Sequence, residues 1–396
     1  MGAEMPPYNK LNNKIKKEIQ MFYLKIFRNY IFNFGAFLRN KVIMTNLKLV
    51  FLVLIAITIF ACESDPVEPK VVDIVWEPAG SLPPPGGNWG ITFVNNGNIW
   101  LNNYNYSEYK QSLYLSTNNG VTWDEKYSAF ENDSIYGISV NPVNGDILRL
   151  GVTYDGQYAY HRELMRSTNN GKSWETIIIT DTTNVRDLNI RGSIFTASGE
   201  IYLGILKIYE YGSGKTWDFC CYYSNDNGNT WVEKSKGLSD IWLTALGKDG
   251  TLYARSMNGV YHSTDKGATW LPSSNYNNKW FLSLTTCDDG SIFGTVSNVG
   301  IVKSTDKGVN WTELNTGSLF IDGVIVYNSV TKDVFVSTTD NSQIYRSNNL
   351  GKDWKLENEG LPVSNEYCYG FDVNPKTGQV FTVTNTGVYR TKNYPK

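Results

Sequence analysis

The chain has 396 residues, a formal net charge of −2, 41% apolar residues and 14% aromatic residues. This length suffices for one large domain or two ordinary ones, and the apolar share suffices for a real core. The balanced charge, without a basic phosphate-binding face, argues against a nucleic-acid partner. Two histidines are too few for a histidine-rich metal site, and no motif indicates a cofactor.

Residues 44–61 are typical of a secretory signal peptide. Lys48 precedes an apolar run of about 13 residues from Leu49 to Ala61, whereas a helix that spans a bilayer needs roughly 20. The ending "IFAC" resembles a bacterial lipobox, which implies cleavage before Cys62 and attachment of lipid to that cysteine. A core helix or a membrane anchor is the alternative interpretation.

The segments on either side of the signal are predicted to lie outside the folded domain. Residues 1–43 are interpreted as an upstream region included by a wrong start codon, since Met44 is a natural start; a basic amphipathic helix at a membrane surface is the alternative. Residues 62–70 include "ESDPVEPK" and are typical of a short acidic tether. We therefore expect a lipid-anchored protein of the bacterial envelope, at the outer membrane.

An eight-residue segment of the form S-x-[DN]-x-G-x-x-W recurs along residues 71–396. The spacing between copies is between about 39 and 57 residues, which indicates a propeller or a solenoid. The intervening segments alternate and are rich in β-branched and aromatic residues, so each unit is predicted to hold four strands. The six copies, which we call boxes, begin at Ser116, Ser167, Ser224, Ser263, Ser304 and Ser347.

The two ends of this region complement each other. Residues 369–393 match the first three strands of a unit, and "VVDIVWEPAG" (71–80) matches the missing fourth strand, with Trp76 at the place of a box tryptophan. Joining the first strand to the last three closes a ring and removes open sheet edges. The prediction is an all-β, seven-bladed propeller of four-stranded antiparallel blades; six blades, with the terminal pieces packed elsewhere, is the alternative.

The box is explained by its residues. The fifth-position glycine suits a positive φ, the third-position Asp or Asn accepts hydrogen bonds that close a turn, and the tryptophan wedges against a neighbouring sheet. The pattern resembles the BNR or Asp-box repeat of sialidase-like propellers. The third position is Asp at 226, 265 and 306 but Asn at 118, 169 and 349, and an amide cannot serve as general acid. The box is therefore architectural.

The candidate ligand surface lies at the opposite end of the blades from the boxes. The connections between the second and third strands of blades 1 to 3 are long and crowded with aromatic residues, which predicts a stacking wall for a glycan or a protein. Packing of these side chains on one another is the alternative. The wall residues are Tyr104, Tyr106, Tyr109, Tyr154, Tyr158, Tyr160, Tyr209, Tyr211 and Trp217.

The innermost strands add a predicted ring at the mouth of the channel. Alignment on "YGISVNPVNG" and "YGFDVNPKTG" gives the ring Trp89, Tyr136, Arg191, Trp242, Phe281, Asp322 and Tyr369. Trp242 and the two charged members, Arg191 and Asp322, are candidate ligand contacts, although the charged pair also fits a solvated rim.

The resemblance to sialidases does not extend to their catalytic residues. No Arg-Ile-Pro motif occurs, and only Arg191 is well placed for a clamp of three arginines; Arg166, Arg346 and Arg390 precede box positions, and Arg149 and Arg255 fall in second strands. Asp133, Asp240, Asp322 and Glu366 lie near strand starts and leave another glycoside hydrolase open. The four cysteines after the signal, Cys220, Cys221, Cys287 and Cys368, are expected to be free buried thiols.

We therefore expect a monomeric, envelope-anchored binding protein for a glycan or an envelope protein. A non-sialidase glycoside hydrolase is the first alternative. An assembly factor, like the propellers of this repeat family that help to build photosynthetic complexes, is the second.

Overall fold

The computed structural model describes residues 73–81, 88–94, 96–105, 110–130, 136–154, 160–177, 185–211, 214–238, 241–316, 323–338, 343–362, 368–384 and 386–395. Cys62 and the predicted signal lie outside these ranges. In the described part of the chain, seven antiparallel sheets of four strands each form the blades of a β-propeller. The predicted fold class and blade number are confirmed.

The strands follow one another from the centre of each blade to its rim, and the label of each strand gives its order in the chain. Blade 1 holds β2 (Asn88–Phe93), β3 (Ile99–Asn105), β4 (Lys110–Ser116) and β5 (Asp124–Phe130). Blade 2 holds β6 (Tyr136–Val140), β7 (Ile147–Tyr154), β8 (Tyr160–Ser167) and β9 (Glu175–Ile177). Blade 3 holds β10 (Val185–Phe195), β11 (Ile201–Tyr211), β12 (Gly214–Ser224) and β13 (Val232–Leu238).

The later blades have shorter strands. Blade 4 holds β14 (Ile241–Leu246), β15 (Leu252–Ser256), β16 (Gly259–Ser263) and β17 (Leu271–Pro272). Blade 5 holds β18 (Phe281–Thr286), β19 (Ile292–Val296), β20 (Gly300–Ser304) and β21 (Thr312–Glu313). Blade 6 holds β22 (Ile325–Tyr327), β23 (Val334–Ser337), β24 (Ile344–Ser347) and β25 (Lys355–Leu356). Blade 7 holds β26 (Cys368–Val373), β27 (Val380–Thr384), β28 (Gly387–Thr391) and β1 (Trp76–Pro78).

The ring closes as the sequence predicts, because β1 is the outer strand of blade 7. Trp76 lies opposite Thr391 in the pairing of β1 with β28. The indole of Trp76 is buried and donates to the Glu357 carbonyl at 2.7 Å, so the N-terminal strand is tied to blade 6 as well as to blade 7. The sheet of blade 7 therefore combines the first strand of the propeller with its last three strands.

All six boxes make the same hydrogen bonds. In the box at Ser263, the serine hydroxyl donates to Oδ1 of Asp265 at 2.8 Å and accepts the Gly267 amide at 2.9 Å, while the Thr269 amide donates to the same Oδ1 at 2.9 Å. The box at Ser116 repeats this pattern around Asn118. Because amide and carboxylate oxygens occupy equivalent places, the structural interpretation of the box is confirmed.

The second oxygen or nitrogen of the third-position side chain reverses its role between copies. In the Asp265 box, the Thr269 hydroxyl donates to Oδ2 at 2.6 Å. In the Asn118 box, the amide nitrogen donates instead to the Thr122 hydroxyl at 2.8 Å. A hydroxyl donates or accepts equally well, which explains why both residue types close this turn.

The fourth position of each box shares the left-handed conformation of the fifth, which the sequence analysis did not anticipate. Lys266 has φ +59° and Leu350 has φ +54°, and the following glycines Gly267 and Gly351 have φ +81° and +86°. Three copies have Asn at this position, and Asn adopts the left-handed region more readily than most residues. The other three copies have Lys or Leu, which ordinarily prefer a negative φ.

Each box tryptophan packs into the preceding blade. Trp231 of blade 3 lies in one cluster with Leu148 and Leu164 of blade 2, and Trp311 of blade 5 lies in one cluster with Tyr253 and Val260 of blade 4. The hydrophobic clusters therefore lie between blades rather than within them, and every box contributes to an interblade contact.

The residue immediately before the box position, which in blade 7 is occupied by Thr391 instead of a box, provides a second interblade contact. In three blades it is a cation that donates to the fourth-position carbonyl of the next box: Arg166 to Asn227, Lys303 to Leu350 and Arg390 to Asn119. Arginines at these positions are therefore used in packing the blades, at the end of the propeller that carries the boxes. We call this end the box face and the opposite end, with the β15–β16 turn, the loop face.

The four cysteines among the described residues are free thiols, as expected. Cys220, Cys221 and Cys287 are buried, and Cys368 is half-buried. Cys220 packs between blades 2 and 3 and Cys221 between blades 3 and 4, so the two neighbours point to opposite faces of β12. Burial raises the pKa of Cys220 and of Cys221 to about 12, which makes both thiols unreactive at neutral pH. The described residues include no helix long and apolar enough to cross a membrane.

Candidate functional site

The second and third strands of blade 3 project above their neighbours on the loop face. The paired strands β11 and β12 have 11 residues each, whereas β15 and β16 of blade 4 have 5. Both pairs are anchored at a box serine, Ser224 and Ser263. At about 3.3 Å per residue, the blade 3 hairpin rises roughly 20 Å higher than the blade 4 hairpin.

The described wall residues occupy both sides of this hairpin. Trp217 is 59% exposed, and because Phe219 and Cys221 follow it at alternate positions, it lies on the side toward blade 4. Tyr209 is half-buried and lies on the side toward blade 2, because it is four residues along the same strand from Ile205, which faces that blade. Trp217 therefore overhangs the low blade 4 and is a solvent-exposed indole.

The other predicted wall residues are not placed at the level of side chains. Tyr106, Tyr109, Tyr158 and Asp322 lie outside the described residues. For Tyr104, Tyr154, Tyr160 and Tyr211 the structure gives only the backbone, within β3, β7, β8 and β11. The wall over blades 1 and 2 thus stays a prediction.

Three side chains meet where blades 3 and 4 adjoin at the channel. The guanidinium carbons of Arg191 and Arg255 lie 4.4 Å and 5.0 Å from the ring centre of Trp242. Trp242 and Arg255 are cross-strand partners in β14 and β15, and Arg191 comes from β10. We call these three residues the Arg–Trp–Arg cluster.

The backbone of blade 3 sets the height of Arg191. The following residue, Gly192, has φ +91° and approaches β14 so closely that a Cβ there would lie 2.0 Å from the Leu243 carbonyl oxygen. This approach brings Arg191 level with Trp242, as the alignment of inner strands predicts. The same alignment is wrong for Phe281, which is fully buried and packs against Trp311 with the two ring centres 5.0 Å apart.

The cluster is a half-buried concentration of positive charge. Burial and the neighbouring charge of Arg191 lower the pKa of Arg255 from its ordinary value. Nη1 of Arg255 donates to the Phe281 carbonyl at 3.2 Å, which fixes the orientation of its guanidinium. The two guanidinium groups therefore lie close enough for their charges to act on each other.

Two further exposed apolar side chains lie on the same face. Met257, in the β15–β16 turn, is 49% exposed, and Trp280, just before β18, is 45% exposed. The loop that carries Trp280 is held over this turn, because the Asn278 amide donates to the Asn258 carbonyl at 3.2 Å. The Trp280 carbonyl accepts the Ser297 amide at 2.9 Å, so backbone bonds hold the loop at both neighbouring turns. Trp217, Met257 and Trp280 form the apolar arc of the loop face.

Sequence reasoning missed Arg255, Met257 and Trp280. The segments "SMNG" (256–259) and "NNKW" (277–280) each place one large apolar residue among polar ones. This pattern was the signal in the sequence that could have indicated exposed apolar side chains at Met257 and Trp280. Arg255 carries no such signal, because its contact with Trp242 depends on the register of β14 and β15.

The remaining candidates lie elsewhere. Arg149 is buried, with its guanidinium carbon 4.5 Å from the ring centres of Tyr127 and Trp174, so it packs between blades 1 and 2. The carboxylates Asp133, Asp240 and Glu366 lie outside the described residues, so the spacing of a catalytic pair stays untested. Within the described ranges, no group of three or more His, Cys, Asp or Glu residues is arranged to hold a metal ion.

Comparison with protein-family models gives no match, and comparison with curated proteins gives none either. Solved structures do resemble the chain. YCF48 bound to D1 peptide has a TM-score of 0.55 at 15% identity, over 81% of this chain and 97% of that one. A virginiamycin B lyase from Staphylococcus aureus has a TM-score of 0.54 at 13% identity, over 80% and 98%.

A GH74 xyloglucanase from Xanthomonas campestris has a TM-score of 0.55 at 15% identity, over 80% of this chain and 53% of that one. The chain therefore spans about half of that enzyme. The three neighbours differ in what their names say they bind or cleave. At these identities they support the seven-bladed propeller fold and do not assign an activity.

Proposed function

We propose that this propeller is a binding protein whose ligand is another protein, docked on the loop face over blades 3 to 5. The observation that carries the proposal is the apolar arc of Trp217, Met257 and Trp280 beside the Arg–Trp–Arg cluster. Tryptophan, methionine and arginine are the residue types enriched where protein interfaces are buried. The predicted aromatic wall of blades 1 to 3 would extend this surface.

The shape of the surface supports a ligand larger than a metabolite. The blade 3 hairpin rises beside the low turns of blades 4 and 5, so it forms a wall along one side of a broad platform. Backbone hydrogen bonds hold the platform loop, which lowers the entropy lost on binding. The neighbour YCF48, which is bound to a peptide, is an example of peptide binding by this fold.

We also propose that the protein is anchored in the bacterial envelope by lipid on Cys62. The support is the apolar run before Cys62 and the resemblance of "IFAC" to a lipobox. Metabolic labelling with an alkyne fatty acid tests it: labelling of the native protein and loss of label in Cys62→Ser are expected. Equal labelling of both would contradict the anchor.

Glycan binding is the second candidate, and the exposed indoles are the observation that favours it, because sugar rings stack on such surfaces. The likeness to a GH74 xyloglucanase makes hydrolysis a further option on this fold. A glycan array with the native protein and with a Trp217→Ala, Trp280→Ala double variant tests this candidate. Binding that the double variant loses would favour a glycan over a protein.

Site-specific photocrosslinking in living cells tests the protein ligand. A photoreactive amino acid is placed at Met257, and at Val121 as control, because Val121 is 52% exposed on the box face. We expect a discrete protein adduct from position 257 that is absent from position 121 and is lost when Trp280→Ala is added. The same adducts from both positions, or none from 257, would contradict the proposal.

A further inference from the structure

The outer edge of the blade 3 hairpin extends beyond the last strand of that blade. The outer strand β13 pairs with β12 only between Phe219 and Tyr223, and its last residue, Leu238, lies opposite Phe219. On this side, no strand of the described part of the chain pairs with β12 between Gly214 and Asp218. At about 3.3 Å per residue, this segment presents roughly 16 Å of sheet edge. We call it the open edge of β12.

The opposite edge of the same hairpin is covered, because the inner strand β10 follows β11 as far as Tyr209. On the outer side, β13 has one residue more than β12 between the pairs that Cys220 and Phe219 make with it. Such a bulge bends a strand away from its partner and ends the pairing. The next strand, β14, begins at Ile241 in blade 4, so β13 does not extend along the open edge.

The direction of the backbone groups on the open edge follows from the pairing within the hairpin. Tyr211 and Gly214 are partners at its closed end, so they exchange both of their hydrogen bonds, and the pattern alternates from there along the strand. The N–H and C=O groups of Thr216 therefore point toward β11. Those of Lys215 and Trp217 point outward, where they form a template for a further strand.

We infer that an extended segment of the docked protein adds to the open edge of β12 as a further antiparallel strand. This inference rests on the proposed function for the presence of that protein. Lys215 and Trp217 supply main-chain donors and acceptors at the spacing of a sheet, which another extended segment satisfies in register. A helix does not satisfy them, because its own backbone groups are already bonded to one another.

The side chains of the open edge determine which segment fits. Opposite residues of an antiparallel pair point to the same face, so the residue opposite Trp217 lies on the side of blade 4, against an indole that is 59% exposed. The residue opposite Thr216, which is also exposed, lies on the other face. An aromatic or β-branched residue fits the first position and a polar residue the second. The segment therefore alternates in polarity, with its apolar side toward blade 4.

The open edge lacks the features that block strand addition. Native proteins protect exposed edges with proline, bulges or charged residues. The open edge contains no proline and has no bulge in its pairing with β11. Its charged residues, Lys215 and Asp218, flank Thr216 and Trp217, which are of types that favour strands. The edge is therefore suited to a specific partner strand.

Amide hydrogen exchange of the purified full chain tests whether the edge is open. Labelling with ¹⁵N-tryptophan gives few signals, and each is assigned by its loss in the corresponding phenylalanine variant. Trp100 is the matched control, because β3 has a paired strand on each side of it. We expect the Trp217 amide to exchange at least about 100-fold faster than the Trp100 amide. Equal protection of the two amides would overturn the open edge.

A proline substitution tests the added strand through the crosslink from position 257. Lys215→Pro removes an outward N–H without removing a bond to β11, whereas Lys215→Ala removes the same side chain and keeps the N–H. We expect Lys215→Ala to keep the protein adduct and Lys215→Pro to lower its yield at least about fivefold. Thermal unfolding should give the two variants midpoints within about 3 °C, because an edge strand tolerates proline.

The outcomes separate the added strand from the docking surface. Equal adduct yields in Lys215→Pro and Lys215→Ala would overturn the strand and leave the docked protein in place. No adduct in any variant would contradict the docked protein, and with it the strand. An adduct of two copies of this chain that is lost in Lys215→Pro would assign the edge to a second copy and overturn a different protein as its occupant. The exchange measurement does not depend on the folding of the proline variant.

Discussion

The buried ion-pair network between blade 6 and the N-terminal strand predicts a large stability effect. Nε and Nη2 of Arg346 donate to Oε1 of Glu357 at 3.1 Å and 2.8 Å, and Oε2 accepts the Ile74 amide at 3.0 Å. Both side chains are almost completely buried. Glu357 therefore neutralises Arg346 and ties down the backbone that leads into β1.

Replacing one partner leaves the other charge buried. Glu357→Leu removes two hydrogen bonds to Arg346 and one to Ile74, so we expect a loss of about 3–5 kcal/mol in the free energy of unfolding. Asp333, whose Oδ2 is 3.4 Å from Nη1 of Arg346, is a weaker second partner and keeps the loss from being larger. Arg346→Met leaves Glu357 charged and should cost a similar amount.

The double variant isolates the coupling. With both charges removed, neither Arg346 nor Glu357 is left unpaired, and only Asp333 loses its weaker contact with Arg346. Arg346→Met with Glu357→Leu should therefore be less destabilised than the sum of the single variants by about 2–3 kcal/mol. Urea unfolding followed by tryptophan fluorescence measures all three. Additive effects, or a loss below about 1 kcal/mol in Glu357→Leu, would refute the network as the support of ring closure.

Further variants test the boxes, the channel and the loop face. Asp226→Asn should change the free energy of unfolding by less than about 0.5 kcal/mol, and Asp226→Ala should lower it by about 1–2 kcal/mol in urea unfolding, because only the amide replaces the turn-closing acceptor. Burial raises the pKa of Asp372 to about 7; its protonated form is favoured in the folded state, so stability should fall as pH rises from about 4 through 7, and Asp372→Asn should remove that decline. Gly192→Ala should lower the free energy of unfolding by more than about 2 kcal/mol, since its Cβ would meet the Leu243 carbonyl. Trp217→Ala should change stability by less than about 0.5 kcal/mol in the same assay, because its indole is exposed, while it weakens the crosslink from position 257.

The fold could be predicted from the sequence because its signal is local and repeated. Each box closes its own turn with side chains two to four residues apart, so six copies define six blades without knowledge of distant contacts. The seventh blade followed from matching Trp76 to a box tryptophan. The sequence showed that cations precede several box positions. It did not show that these cations donate to a backbone carbonyl in the next blade, because that contact is tertiary.

The candidate site was predictable only in part. Arg191 and Trp242 were found by alignment of the inner strands, because the repeat fixes their height in the channel. Arg255 joins them through cross-strand pairing, and Met257 and Trp280 through the folding of one loop over another, which are tertiary relations. Phe281 was misplaced because the alignment left the register of the inner strands open by a residue, and a one-residue shift reverses the direction of a side chain; Phe281 packs against Trp311 in the core.

The most direct test of the central claim is hydroxyl-radical footprinting of the protein in native envelopes against the purified protein. Trp217, Met257 and Trp280 are exposed and of readily oxidised types, and Leu271 and Leu356, which are 59% and 45% exposed near the boxes, are the reference positions. We predict that the three loop-face residues are protected in envelopes while the two leucines are oxidised as in the purified protein. Equal oxidation of the loop-face residues in both samples, or equal protection of the leucines, would contradict a ligand on this face.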